Sequence, residues 1–213
     1  MVYMFYTAFD SELPGSKFAA YLEKLPRPLR ITNSKYARWR DRTANLFGKL
    51  LLSKGLAYLN LDYTLNDLKI SKYRKPYIND KFDFSISHSG RYVICLIAFG
   101  QKAGIDVEQV ANFDLNNFVN IFTHSEIASI LSSTHPQSEF CRVWTVKESV
   151  MKADGRGLFL PLEQVLVSDG VAHIHDKPWF LCHPRLDHGY QLTIATEFPT
   201  KQLELHCISS SEF

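Results

Sequence analysis

Hydrophobic residues recur along this chain with two different periods, and each change of period marks an element. Val2 to Phe9 reads as a strand, and Ser16 to Leu25 as a short helix with Phe18, Tyr21, Leu22 and Leu25 on one side. The Pro26 to Pro28 break ends that helix. A longer helix is predicted from Ser34 to Leu59, where Trp39, Leu46, Leu50 and similar apolar positions recur at helical spacing among basic residues. Three strands follow, Phe82 to Ser87, Tyr92 to Phe99 and Ala103 to Val107. They are joined by His88-Ser89-Gly90-Arg91 and Gly100-Gln101-Lys102, so a β-meander is expected. Thr123 and Glu126 have capping-box spacing for a helix through Leu131. Phe140 to Asp154 reads as another helix, stopped by Gly155 and Gly157. Val165 to Val167, Val171 to Ile174, Trp179 to Cys182, Gln191 to Thr196 and Leu203 to Ile208 complete the chain as strands. Each half runs strand, helices, strands, an α+β pattern that suggests a duplicated architecture.

The composition, 46% hydrophobic and 22% charged, is that of an ordinary globular protein. No apolar run reaches the length of a membrane span, and the N-terminus lacks the basic region and cleavage site of an export signal. Cys95, Cys141, Cys182 and Cys207 show no C-x-x-C or zinc-ligand spacing, so reduced, mostly buried thiols in a cytoplasmic protein are expected. The net charge of +2 hides an asymmetry. Residues 1–103 carry 17 Lys+Arg against 8 Asp+Glu, whereas residues 104–213 carry 7 against 14. A basic half that holds phosphates facing an acidic half that holds a metal would produce such a division, as would a chance imbalance of solvated charges.

Three stretches can carry chemistry. In Gly104-Ile-Asp-Val-Glu108 the acids alternate with apolar residues, so on a strand Asp106 and Glu108 share a face with Cα atoms about 7 Å apart. They can converge on one divalent cation, or stand solvated at a strand edge. On the helix around Trp144-Thr-Val-Lys-Glu148-Ser-Val-Met-Lys152, Trp144, Glu148 and Lys152 line one face at i, i+4 and i+8. That arrangement also suits a surface ion pair, but the large aromatic argues that the face is not simply wet. Lys75-Pro-Tyr followed by Phe82-Asp-Phe-Ser-Ile-Ser87-His88-Ser89-Gly90 places hydroxyls and an imidazole at a turn near a lysine, which suits phosphate binding or turn stabilisation. No hydrolase nucleophile elbow, Walker A motif or dinucleotide fingerprint can be built here. The basic stretch Lys24 to Arg42 has no accompanying nucleic-acid-binding motif.

Taken in order, K-P-Y with F-D-F-S-I-S-H-S-G, then G-I-D-V-E, then W-T-V-K-E-S-V-M-K-A-D-G-R-G-L resemble the 4′-phosphopantetheinyl transferases of the Sfp type over Lys75 to Pro161. The resemblance implies two similar α/β halves related by a pseudo-twofold axis, 1–103 binding the nucleotide of coenzyme A and 104–213 carrying the metal and catalytic residues. It implies Mg²⁺ on Asp106, Glu108 and Glu148 and the family's helix lysine at Lys152; on mechanistic grounds Glu148 is expected to be the base and Lys152 to stabilise the charge on the leaving oxygen. Coenzyme A would be held by Lys75, Ser87 and His88. Many relatives have a basic residue followed by Ser or Thr where this chain has Ala44-Asn45, so Arg42, Arg30 and Asn45 stand as substitute partners of the nucleotide. The implied reaction transfers the phosphopantetheine arm to a serine of an acyl or peptidyl carrier protein, by a monomer that needs neither nucleic acid nor membrane. The alternatives are a Mg²⁺-dependent nucleotide phosphohydrolase and a non-catalytic module that binds through its basic half.

Overall fold

The computed structural model describes residues 1–118, 120–168 and 170–213. The chain runs β1 (Val2–Ala8), α1 (Gly15–Leu22), α2 (Arg27–Asn33), α3 (Trp39–Tyr58), β2 (Lys69–Ile70), β3 (Pro76–Tyr77), β4 (Phe82–Ser89), β5 (Tyr92–Phe99) and β6 (Ala103–Gln109). It continues α4 (His124–Ser132), α5 (Pro136–Asp154), β7 (Leu166–Ser168), β8 (Val171–Ile174), β9 (Lys177–Cys182), β10 (Tyr190–Thr196) and β11 (Leu203–Cys207). The first helix ends before Pro26, as expected, and a separate helix the sequence did not show, α2, starts at Arg27, with Pro28 in its first turn, where a missing N–H removes no bond. The predicted long helix therefore begins only at Trp39, while α5 begins earlier than expected, with Pro136 in its first turn.

Local signals hold where a cap decides the boundary. Thr123 accepts the Glu126 N–H at 3.2 Å and the Glu126 carboxylate accepts the Thr123 N–H at 2.7 Å, the reciprocal pair that opens α4. Gly155, at φ +85°, ends α5.

The strands form two main sheets, β11-β1-β5-β4 and β6-β10-β9-β8-β7. The expected meander is thus cut: β4 and β5 form a two-residue hairpin through Gly90 at φ +55°, but β6 leaves that sheet and pairs with β10. In each sheet a strand, a long helix and a hairpin recur in the spatial order first, third, second: β1-β5-β4 with α3, and β6-β10-β9 with α5. The facing sides share a core of Val2, Met4, Ile94, Leu96, Ile105 and Ile194. Outside it, α3 packs Phe47, Leu51 and Leu52 on the first sheet, and α5 packs Val146, Val150 and Ala153 on the second. After β10 the chain returns to the first sheet, where β11 runs parallel to β1 with Val2 opposite Leu203.

Among the described residues no helix is long and apolar enough to cross a membrane. Cys95 and Cys141 are buried and unpaired, whereas Cys182 is half-buried and Cys207 is exposed at the end of the edge strand β11.

Candidate active site

The site is built on the line where the two sheets meet. Along β4, Phe82, Phe84 and Ile86 turn into the core under α3, and Asp83, Ser85, Ser87 and Ser89 turn the other way, toward β6. Each of these four side chains accepts a backbone N–H from β6: Ala103 to Asp83 at 3.1 Å, Ile105 to Ser85 at 3.1 Å, Val107 to Ser87 at 3.3 Å and Gln109 to Ser89 at 3.0 Å. Side chains thus replace the carbonyls of an ordinary ladder, and β4 and β6 run side by side in parallel. Two of the hydroxyls have a second bond. Ser87 donates to Asp106 Oδ1 at 2.8 Å, and Ser89 donates to Glu108 Oε2 at 2.7 Å.

The alternation in Gly104-Ile-Asp-Val-Glu108 places Ile105 and Val107 in the shared core and Asp106 against α5. Gly104 permits that approach, since a Cβ there would collide with the Ser149 carbonyl oxygen and the Ala153 nitrogen. From α5, Lys152 Nζ reaches Asp106 Oδ1 at 2.6 Å and Ser87 Oγ at 3.1 Å. Trp144 stands beside Glu108, whose carboxyl its indole N–H favours in the charged form, and packs edge-on against Phe118, with ring centroids 5.3 Å apart, so the helix face at Trp144, Glu148 and Lys152 is not a solvated one. Burial, then the Asp106 charge, pushes the Glu148 carboxyl up to about 7. Glu108 is raised for the same two reasons, with the Ser89 and Trp144 donors pulling the other way.

Beside these acids lies a cleft of about 330 Å³ between α3, β4, the β2–β3 hairpin and the end of α5. Asn45, Lys75, His88 and Lys152 line it. His88 faces the cleft, and its imidazole is held below its usual value by desolvation and then by Lys152. Lys75 is tied to the buried carboxylate of Asp83 at 2.6 Å, yet burial outweighs that partner and lowers its pKa. Three expected ligands stand elsewhere. Ser87 is buried beneath the cleft, with its hydroxyl committed to Asp106, Lys152 and the Val107 N–H. Arg42 lies over Phe18 at 5.0 Å, and Arg30 pairs with Glu23 at 2.8 Å. Neither arginine lines this cleft.

Some participants were given no role of this kind by the sequence. Asp83, Ser85 and Ser89 lie within F-D-F-S-I-S-H-S-G, but nothing there shows that they bond the backbone of β6. Lys147 is fully buried, donating to the Leu162 and Val165 carbonyls at 2.9 and 3.1 Å and pairing with Glu126 at 3.0 Å, so it fastens α4 and the following loop to the helix that bears Glu148.

Among the described residues, no three acidic, His or Cys side chains stand close enough to ligate one ion as they lie, and the Lys152 ammonium sits against Asp106. The donor chemistry nonetheless fits a hard divalent cation. Among the described residues Asp106 Oδ2 is buried without a hydrogen-bond partner, and Glu148 is raised by burial and then by repulsion from Asp106 and Glu108; a cation would satisfy the first and offset that repulsion.

Residues 102–195 match the family model described as the 4′-phosphopantetheinyl transferase superfamily. The chain is 26% identical to 4′-phosphopantetheinyl transferase gsp of Aneurinibacillus migulanus over 93% of this chain and 87% of that protein. A solved structure of Thermotoga maritima holo-[acyl-carrier-protein] synthase covers 45% of this chain and 61% of that chain, with a TM-score of 0.37 and 20% identity. Against 4′-phosphopantetheinyl transferase Sfp of Bacillus subtilis the identity is 30%, over 81% of this chain and 82% of that enzyme. With the three motifs meeting at one seam, that extent of similarity makes this chain a member of the 4′-phosphopantetheinyl transferase family.

Proposed function

We propose that this transferase moves the phosphopantetheine arm of coenzyme A onto a serine of an acyl or peptidyl carrier protein with Asp106, Glu108 and Glu148 holding Mg²⁺, and releases 3′,5′-ADP. The observation that carries this reading is the carboxyl of Glu148, pushed up to about 7 by burial and by Asp106, the same aspartate that Lys152 of the cleft wall pairs at 2.6 Å. A divalent ion held there would supply charge neutralisation at the pyrophosphate. Glu148, close to neutrality in its proton affinity, takes the proton of the attacking serine hydroxyl. Lys152 stands where it can meet the charge that grows on the bridging oxygen as the nucleotide leaves. His88, Lys75 and Asn45 bind the nucleotide end and align the β-phosphate, while Ser87 and Ser89 hold the two acids of β6 in place. The division of labour follows the charge: residues 1–103 bind the nucleotide, and residues 104–213 supply the acids. Because one chain supplies both sides of the site, the working form is a monomer, and the free thiols suit the cytoplasm.

The test is incubation with coenzyme A, Mg²⁺ and an apo carrier protein, read by the intact mass of the carrier. One phosphopantetheine should be gained per carrier, and a chelator should prevent it. Release of nucleotide with an unmodified carrier would favour a phosphohydrolase instead.

A further inference from the structure

The Lys and Arg residues lining the cleft are Lys49, Arg74, Lys75 and Lys152. Two of them are already engaged, Lys75 by Asp83 and Lys152 by Asp106, each at 2.6 Å. Lys49 is sunk far enough beneath the cleft that burial lowers its pKa. Arg74 differs from all three. It is exposed, and among the described residues its guanidinium has no ion-pair or hydrogen-bond partner.

Its backbone is also unusual. Arg74 sits at φ +68°, in the left-handed region that glycine enters freely and other residues seldom do. The turn that holds it there is tightly bonded: Arg74 N–H to the Ser71 carbonyl at 2.9 Å, Ser71 N–H to the Lys75 carbonyl at 2.9 Å, and Lys75 N–H to Ser71 Oγ at 3.0 Å. A strained, non-glycine residue at the tip of a rigid hairpin, facing a cleft, is the pattern expected where the side chain is needed. The opposite wall shows the need. At the cleft edge α3 presents Ala44 and Asn45, neither of them charged, and the one Lys or Arg that α3 adds to the lining is the half-buried Lys49, so an exposed cation reaches an entering polyanion from the hairpin side.

We infer that Arg74 is a phosphate-binding residue of this enzyme, its guanidinium closing from the β2–β3 hairpin onto the anionic oxygens of coenzyme A. The planar fork of donors suits two phosphate oxygens at once. The inference rests on coenzyme A being the ligand of this cleft.

Substitution separates binding from structure, because the two should move in opposite directions. Arg74→Gly removes the charge and relieves the positive φ, so its melting temperature should equal or exceed that of the wild type. Its affinity for coenzyme A, titrated calorimetrically in chelator, should fall about 10-fold. Because screening weakens the lost contact, the deficit should shrink as salt rises. Arg74→Lys keeps a point charge without the fork and should lose less affinity. Tight, equal binding of coenzyme A by wild type and Arg74→Gly overturns the role of Arg74 alone. Failure of the wild type to bind coenzyme A overturns the assignment of the cleft, and the inference with it.

Discussion

Replacing Glu148 with Gln should stabilise the metal-free protein at alkaline pH while abolishing transfer. In the folded state the carboxyl is pushed up to about 7 from a reference of 4.5, so between those values the native protein holds a proton that the unfolded chain has released. Stability therefore falls as pH rises through that window and is level above it. At about 1.4 kcal/mol per pH unit the gap amounts to about 3 kcal/mol. Gln cannot ionise, so the variant escapes the loss. For a chain of this size each kcal/mol moves the melting temperature by about 2–4 °C, which puts the variant roughly 6–12 °C above wild type near pH 8 and level with it near pH 4. Scanning calorimetry across that range in chelator measures the difference directly. Added Mg²⁺ should raise the wild type and close the gap. A pH-independent difference, or a variant that melts lower at pH 8, would refute the claim that repulsion and burial act on this carboxyl.

Three further outcomes follow from the seam and the cleft. Ser85→Ala and Ser89→Ala each remove one acceptor of a β6 N–H, for about 1–3 kcal/mol where the donor is left buried, but only Ser89 also holds Glu108. Mn²⁺ titration without substrate should therefore show weaker binding in Ser89→Ala and not in Ser85→Ala; equal affinities would mean that Ser89 is structural only. Gly104→Ala must push β6 from the backbone of α5, with a cost of several kcal/mol read in urea unfolding, and a normal midpoint would contradict the close approach. His88→Ala should weaken coenzyme A about 10- to 150-fold and 3′-dephospho-coenzyme A hardly at all, whereas an equal loss for both would move the 3′-phosphate to other groups.

Much of this site is legible in the sequence because its acids lie on regular elements. The period of 2 in residues 104–108 and the i, i+4 spacing of Trp144, Glu148 and Lys152 each dictate a face, and both faces meet. The capping box at Thr123 is legible for the same reason: it is a local bond between neighbours. What escapes is whatever depends on a distant partner. The hydroxyls of β4 read as turn or phosphate-binding groups, but Asp83, Ser85 and Ser87 are buried, because short acceptors there can satisfy a strand that arrives 20 residues later. The one clue is that none of Asp83, Ser85, Ser87 and Ser89 is a long side chain of the kind that reaches water. The meander failed on the same point, since a three-residue connection is as compatible with a change of sheet as with a hairpin. Arg30 and Arg42 entered the site as substitutes for the basic residue that relatives carry where this chain has Ala44-Asn45, but nearness in sequence does not say which way a side chain faces.

The return of β11 to the first sheet bears on how the chain is made. During synthesis β1 is made long before its outer neighbour, residues 203–207, so that edge must wait until β10 has been made. Contacts this distant in sequence slow folding, and an unpaired strand edge is a template for association with other chains. Until β11 docks, Phe5 lacks the His206 ring stacked on it at 4.9 Å. A nascent first half with that edge open is expected to be prone to association, and chaperone occupancy or slower translation past residue 200 should raise the yield of folded protein.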